Sequence, residues 1–120
     1  MHSYTEQRKG KRIKAKLRVN CKSEGVFFSD FTRDIGPGGI GIETSAMLRE
    51  GTTVEIFIQL PNEKEPLILK GKVIWTNLNG TQKGSASNVA LGIKFEDVAP
   101  HHHVKLTNFI EQFDKDGLKA

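Results

Sequence analysis

The stretch Arg12-Ile13-Lys14-Ala15-Lys16-Leu17-Arg18-Val19-Asn20-Cys21-Lys22 alternates between polar and apolar residues without a break. An alternation with a period of two is typical of a β-strand that buries one face. The apolar positions are therefore predicted to face a core, and the basic positions to form an outer surface. Cys21 is the only cysteine of the chain, and its place on the apolar side predicts core packing rather than thiol chemistry.

Short apolar runs separated by turn signals continue after this strand. They predict further strands over residues 26–33, 40–42, 54–60, 67–75 and 89–95, and a polar loop over 77–88. Three phenylalanines are expected to supply bulk to the second of these six strands: Phe27, Phe28 and Phe31. Six strands with no helix between them favour a closed barrel or a sandwich.

After residue 96 the period of the pattern changes to that of a helix. One apolar stripe of this helix contains Val98, Leu106, Phe109, Ile110 and Phe113. Asp97 is a candidate for the cap at its start, Pro100 is compatible with its first turn, and Gly117 is a candidate for its end. The helix is expected to cover one barrel opening or edge.

The 120 residues are predicted to form one domain. Residues 1–11 are expected to be a flexible basic arm, 12–114 the barrel with its helix, and 115–120 a tail. No apolar stretch approaches the roughly 20 residues of a membrane span, and the polar N-terminus does not resemble a signal peptide. A single cysteine fits a reducing compartment, so we expect a cytoplasmic protein.

The net charge of +4 is unevenly distributed, because residues 1–22 carry eight Lys/Arg and one Glu. A basic segment on a slightly acidic body favours a compact anionic partner, whereas a diffuse basic surface is typical of nucleic-acid binders. A solvated arm with no ligand is the alternative interpretation of this segment.

Two short segments offer groups that suit an anionic ligand containing guanine. In Arg8-Lys9-Gly10-Lys11-Arg12, the two arginine forks can each bind a phosphate, or the O6 and N7 atoms of guanine. In Asp34-Ile35-Gly36-Pro37-Gly38-Gly39, the carboxylate can accept guanine N–H groups, and the glycines permit positive φ and an anion-binding nest. Taken alone, the first segment is a common pattern, and the second can be a tight turn in which Asp34 bonds its own backbone.

Other candidate sites are less informative. By parity with Val73, Trp75 is predicted to face inward at the barrel rim, where it can pack on the helix or stack on a base. His101, His102 and His103 are consecutive, so they point about 100° apart on a helix and cannot all bind one metal ion. No nucleophile–base pair is recognisable, so we expect no enzymatic activity. We also expect no metal ion and no cofactor.

The two segments together, in this order, resemble the PilZ domain family, whose pattern is RxxxR followed by [D/N]xSxxG. The resemblance extends over roughly residues 8–113 and includes Gly71-Lys72-Val73-Ile74-Trp75 and Leu91-Gly92-Ile93-Lys94-Phe95. It implies a six-stranded antiparallel β-barrel of the PilZ split-barrel type with a C-terminal helix. It also implies binding of cyclic di-GMP, a bacterial second messenger, and a role in regulating motility or biofilm formation.

By this resemblance, Arg8 and Arg12 bind guanine and phosphate, and Lys9 and Lys11 add charge. Asp34 and the backbone of Gly36, Gly38 and Gly39 hold a guanine edge, and Trp75 packs on the ligand. The chain departs from the family at Gly36, which replaces the serine of the turn. We expect the chain to be a cyclic di-GMP receptor that signals to a protein partner by ordering its arm. An adaptor on the same barrel that does not bind the nucleotide is the alternative. A small-barrel nucleic-acid binder is a third and less favoured interpretation.

Overall fold

The computed structural model describes residues 12–44, 46–61, 63–78 and 89–119. Within this part of the chain, six strands close a barrel in the order β1-β2-β3-β6-β5-β4, with every neighbouring pair antiparallel. The elements are β1 (Arg18–Ser23), β2 (Val26–Gly36), β3 (Gly39–Thr44), β4 (Thr53–Ile58), β5 (Leu67–Leu78), β6 (Val89–Glu96) and the helix α1 (Pro100–Lys119). The predicted six-stranded barrel with a C-terminal helix is confirmed. Of the predicted loop over 77–88, residues 77 and 78 belong to β5, and 79–88 lie outside the described residues.

The segment before β1 keeps the predicted alternation of burial, but its regular pairing begins at Arg18 rather than at Arg12. Next to this segment, the register of β2 with β3 shifts between Thr32 and Asp34. There the hydroxyl of Thr32 accepts a bond from the Leu17 N–H (2.9 Å) and donates one to the Ala15 carbonyl (2.5 Å). Backbone pairing resumes at Ile13, which exchanges two 2.9 Å hydrogen bonds with Ile35. Arg12 is thereby placed beside Asp34.

The barrel interior is filled by inward-facing side chains of all six strands. The core includes Val19, Cys21, Ile35, Ile42, Ile56, Leu69 and Leu91. Two of the three phenylalanines of β2 add no bulk to the core, because Phe27 is 64% exposed and Phe31 44% exposed. Both rings point outward, as do Lys22 and Arg18, the residues of β1 with which they pair. Phe28 alone packs against the core.

Cys21 is fully buried, as predicted, and burial raises the pKa of its thiol from 9.0 to about 12, with a smaller contribution from Asp30. The folded protein therefore keeps this proton at a pH where the unfolded chain loses it. The resulting stability is present below pH 9 and is lost as the pH rises towards 12.

We expect the free energy of unfolding of a Cys21→Ala variant to fall less steeply than that of the parent above pH 9. Urea denaturation at several pH values measures this difference. In the parent, the thiol should react with a disulfide reagent at pH 8 only after unfolding. Rapid modification of the folded parent would contradict the burial of Cys21.

The helix α1 adds its apolar stripe to the same core cluster. Leu106 and Ile110 are 0% and 2% exposed, and Phe109 and Phe113 pack at the margin of the core. An ion pair of 3.1 Å between Lys105 Nζ and Glu63 Oε1 joins the helix to the β4–β5 connection. The apolar stripe is therefore confirmed for these four apolar residues, whereas Val98 precedes the helix and packs against the core from the preceding segment.

The predicted ends of the helix are wrong. The first helical hydrogen bonds go from the N–H groups of His102 and His103 to the carbonyl of Ala99, so Ala99, not Asp97, precedes the helix. Asp97 instead adopts a left-handed conformation with φ 49°. Gly117 lies inside α1, which continues to Lys119. No helical segment of the described chain combines the length and the apolarity that crossing a membrane requires.

Candidate ligand-binding site

A shallow pocket of about 190 Å³ lies on the outer surface of the barrel, where the end of β2, the β2–β3 turn, β6 and β5 meet. Five of the predicted site residues line it: Arg12, Asp34, Gly38 and Gly39 from the two motif segments, and Trp75 from β5. The other lining residues are Ile40, Ile74, Gly92, Ile93 and Lys94. Small-molecule sites usually measure roughly 300–1,000 Å³. The pocket formed by the described residues is therefore smaller than a typical small-molecule site.

A carboxylate flanked by two arginines dominates one side of this pocket. The guanidinium of Arg12 donates to Asp34 Oδ1, and Arg33 Nε lies 3.9 Å from Asp34 Oδ2. The side chains of Arg12 and Asp34 are 48% and 23% exposed, so both groups remain accessible from solvent. An exposed pair of this kind contributes only about 0–1 kcal/mol to stability. Exchanging it for contacts with a ligand therefore costs little.

Asp34 belongs to β2, and its carboxylate is aimed across the sheet rather than at its own backbone. It pairs with Gly41 of β3, and a Cβ atom at Gly41 would lie 3.0 Å from Asp34 Oδ1. The absence of a side chain at Gly41 therefore leaves room for the carboxylate. The alternative of a self-bonded turn aspartate is wrong for this structure.

The glycine-rich segment forms a tight hairpin in which Gly36 pairs with Gly39. Among the described glycines, positive φ occurs at Gly25 and Gly51 but not at Gly36, Gly38 or Gly39, so the expected nest is not formed. Close approach does occur, because a Cβ atom at Gly39 would lie 2.3 Å from the carbonyl oxygen of Ile93. Gly36 is buried and is not among the residues that line the pocket.

Trp75 faces outward, which corrects the prediction from parity. β5 has a bulge between Val73 and Trp75, so that Val73 pairs with Ile93 while Trp75 pairs with Gly92. The extra residue reverses the alternation, and the indole lies 37% exposed over the bare backbone of Gly92. A Cβ atom at Gly92 would be 2.2 Å from indole atoms Cε2 and Nε1. The glycine thus makes space for a flat aromatic surface beside the charged groups.

Sequence reasoning missed Gly92 and Lys94 as site residues. A glycine inside a strand often marks a close approach by another group, and this signal was present at Gly92. Lys94 has the same outward parity as Gly92 and pairs with Gly39 across the β3–β6 ladder. It adds a third cation near the pocket, after Arg12 and Arg33.

The other predicted site residues, Arg8, Lys9 and Lys11, lie outside the described residues. Even without them, the pocket combines cations, a carboxylate acceptor and an exposed aromatic ring. Such a set suits a flat, anionic molecule that also carries N–H donors.

Comparison with known proteins gives the same fold and one family. The family model described as PilZ domain matches residues 6–112. The PilZ domain of Escherichia coli YcgR, solved with c-di-GMP, is 17% identical, with a TM-score of 0.74 and coverage of 94% of this chain and 95% of that chain. Identity this low shows a shared fold and no more.

A second similar structure is the Bacillus subtilis inhibitor of motility, MotI/DgrA. It is 16% identical, with a TM-score of 0.73 over 88% of this chain, and this chain spans only 49% of that protein's length. The K. pneumonia MrkH–c-di-GMP complex is 10% identical, with a TM-score of 0.66, and the match covers 92% of this chain and 53% of that one. No curated protein sequence matches this chain significantly.

Proposed function

This chain belongs to the PilZ domain family, and we propose that it is a non-enzymatic, cytoplasmic receptor for cyclic di-GMP that acts on a protein partner. One observation carries the proposal: the fold brings Arg12, Asp34 and Trp75, which are far apart in sequence, to a single surface pocket. Similar folds have been solved with c-di-GMP bound, among them the PilZ domain of YcgR.

The groups of the pocket match the chemistry of the nucleotide. The fork of Arg12 leaves Asp34 and binds a phosphate or the O6 and N7 atoms of guanine. Asp34, released from Arg12, accepts N–H groups from a guanine edge. Trp75 stacks on a base, and Lys94 adds charge that is less directional. Each group that gives up a contact in the free protein gains one in the complex.

The signal in this proposal comes from the N-terminal segment. Arg8, Lys9 and Lys11 add contacts to the nucleotide bound at the pocket. Binding thereby orders the predicted arm at residues 1–11. Ordering a residue costs about 1–2 kcal/mol of backbone entropy, so the arm closes only where the ligand contacts exceed that cost. The ordered arm then offers a partner a surface that the free protein lacks.

A second candidate function is an adaptor that does not bind the nucleotide, and Gly36 favours it. The missing serine hydroxyl removes one hydrogen bond, worth roughly 0.5–1.5 kcal/mol. At about 1.4 kcal/mol per decade, affinity falls by about threefold to tenfold. Both motif arginines remain in the sequence, so we favour a weaker receptor over a receptor that has lost its ligand.

Calorimetric titration with cyclic di-GMP, with GTP as the control nucleotide, tests the proposal and gives the stoichiometry. We expect saturable binding of cyclic di-GMP and none of GTP. The absence of both heat and thermal stabilisation at high ligand concentration would overturn the receptor and leave the adaptor.

A further inference from the structure

A second surface feature lies on the outer face of β1 and β2, beside the ligand pocket. It consists of exposed cations from the segment before β1 and from β1, and of two exposed rings from β2. We define this basic–aromatic patch as Lys14, Lys16, Arg18, Lys22, Phe27 and Phe31. We infer that the basic–aromatic patch is a docking surface for an acidic protein segment that also carries apolar side chains.

The patch has uncompensated positive charge. Within the described part of the chain, none of its four cations forms an ion pair. Carboxylates occur at its borders, where Glu43 lies opposite Phe31 on β3 and Glu55 lies opposite Lys22 on β4. Glu43 is engaged by Arg33 at 3.8 Å. The patch itself contains no carboxylate. The two carboxylates of the adjoining groove, Asp30 and Glu43, form no ion pair with its four cations, so these cations remain available to a partner.

The patch also has exposed apolar surface that the barrel does not use. Phe27 is 64% exposed and Phe31 44% exposed, and four residues along a strand separate them by about 13 Å. Beside Phe31, a groove of about 390 Å³ is lined by three cations, Lys14, Lys16 and Arg33, and by two carboxylates, Asp30 and Glu43. The cations outnumber the carboxylates, so a partner side chain ending in a carboxylate can pair with Lys14 or Lys16 beside the ring. Aromatic anchors with a charged rim are typical of protein interfaces.

The contacts of Phe31 favour a protein segment over a single-stranded nucleic acid. Lys16 Nζ lies 5.5 Å and Arg18 Cζ 5.2 Å from the centre of its ring. A base that stacked on Phe31 would have to displace these cations. A carboxylate can instead pair with Lys16 or Arg18 while each keeps its place near the ring.

The patch is physically connected to the ligand pocket, and here the inference rests on the proposed function. Lys14 and Lys16 belong to the segment that also carries Arg12, and Thr32 holds this segment through its bonds to Ala15 and Leu17. A ligand that moves Arg12 away from Asp34 therefore acts on the same segment that presents the patch. This gives the receptor a route by which nucleotide binding alters partner binding.

Fluorescence anisotropy with a short labelled peptide rich in glutamate and leucine tests the patch on the full chain. We expect saturable binding, at least about tenfold weaker in a Lys16→Glu/Arg18→Glu variant and weaker also in Phe31→Ser. The matched control is Arg49→Glu/Lys70→Glu, which changes the net charge equally at exposed positions outside the patch. It should bind within about twofold of the parent.

Four outcomes would overturn the docking surface. They are no peptide binding, an equal loss in the control variant, tighter binding of a poly-dT oligonucleotide than of the peptide, and binding of a peptide with lysine in place of glutamate. Titrating the same variants with cyclic di-GMP separates the two hypotheses. Intact nucleotide binding without peptide binding would overturn only the patch, and the reverse would overturn only the receptor.

Discussion

Replacing Arg12 with alanine is expected to weaken cyclic di-GMP binding about fivefold to 150-fold. This range corresponds to the roughly 1–3 kcal/mol of a good bidentate arginine contact to a base, at about 1.4 kcal/mol per decade. Arg12 belongs to the RxxxR segment, and its guanidinium contacts the Asp34 carboxylate at the pocket. Calorimetric titration of parent and variant measures the change.

The same substitution should leave the stability nearly unchanged. The side chain of Arg12 is 48% exposed, and its ion pair with Asp34 contributes only about 0–1 kcal/mol. Arg49→Ala, at an exposed position away from the pocket, is the matched control and should bind like the parent. If Arg12→Ala and Arg49→Ala both bind like the parent, the assignment of Arg12 to the site is wrong.

Gly92→Ala is expected to weaken binding although residue 92 carries no functional group. The new methyl group would lie 2.2 Å from two atoms of the Trp75 indole, so the ring must leave its place beside the pocket. Loss of a stacked base costs roughly 1–3 kcal/mol, which again is about fivefold to 150-fold in affinity. Because the chain has one tryptophan, its emission spectrum reports this displacement directly.

A double variant controls this experiment. If Gly92→Ala acts only by displacing the ring, adding it to Trp75→Ala should cause little further loss of affinity. A shifted emission spectrum with unchanged affinity would show that Trp75 does not contact the nucleotide. A large fall in melting temperature would instead show that the methyl group disturbs the β5–β6 pairing.

Much of the fold could be predicted from periodicity, because burial on one face of a strand imposes alternation. The run from Arg12 to Lys22 shows this, and Cys21 lies in the core as expected. The pattern could not locate the bulges, since one extra residue changes the parity while the composition stays the same. The bulge after Val73 turned Trp75 outward, and another irregularity follows Thr32 in the pairing of β2 with β3.

The sequence indicated which two segments form the candidate site, but not how their side chains are arranged. The resemblance associated Arg12 with Asp34, and the fold brings them into contact across 22 residues of sequence. The roles of Gly92 and Lys94 depend on which strands are neighbours in the closed barrel, which the sequence does not state. The expected nest at Gly36 to Gly39 failed because a tight hairpin forms without positive φ at these glycines.

The central claim is that cyclic di-GMP binds at the pocket between Asp34 and Trp75. Two-dimensional amide NMR of labelled protein, titrated with the nucleotide, tests it most directly. We predict the largest shifts at Asp34, Gly38, Gly39 and Gly92 to Lys94, and at the indole N–H of Trp75. No shifts at saturating nucleotide, or shifts confined to α1 or the basic–aromatic patch, would contradict the claim.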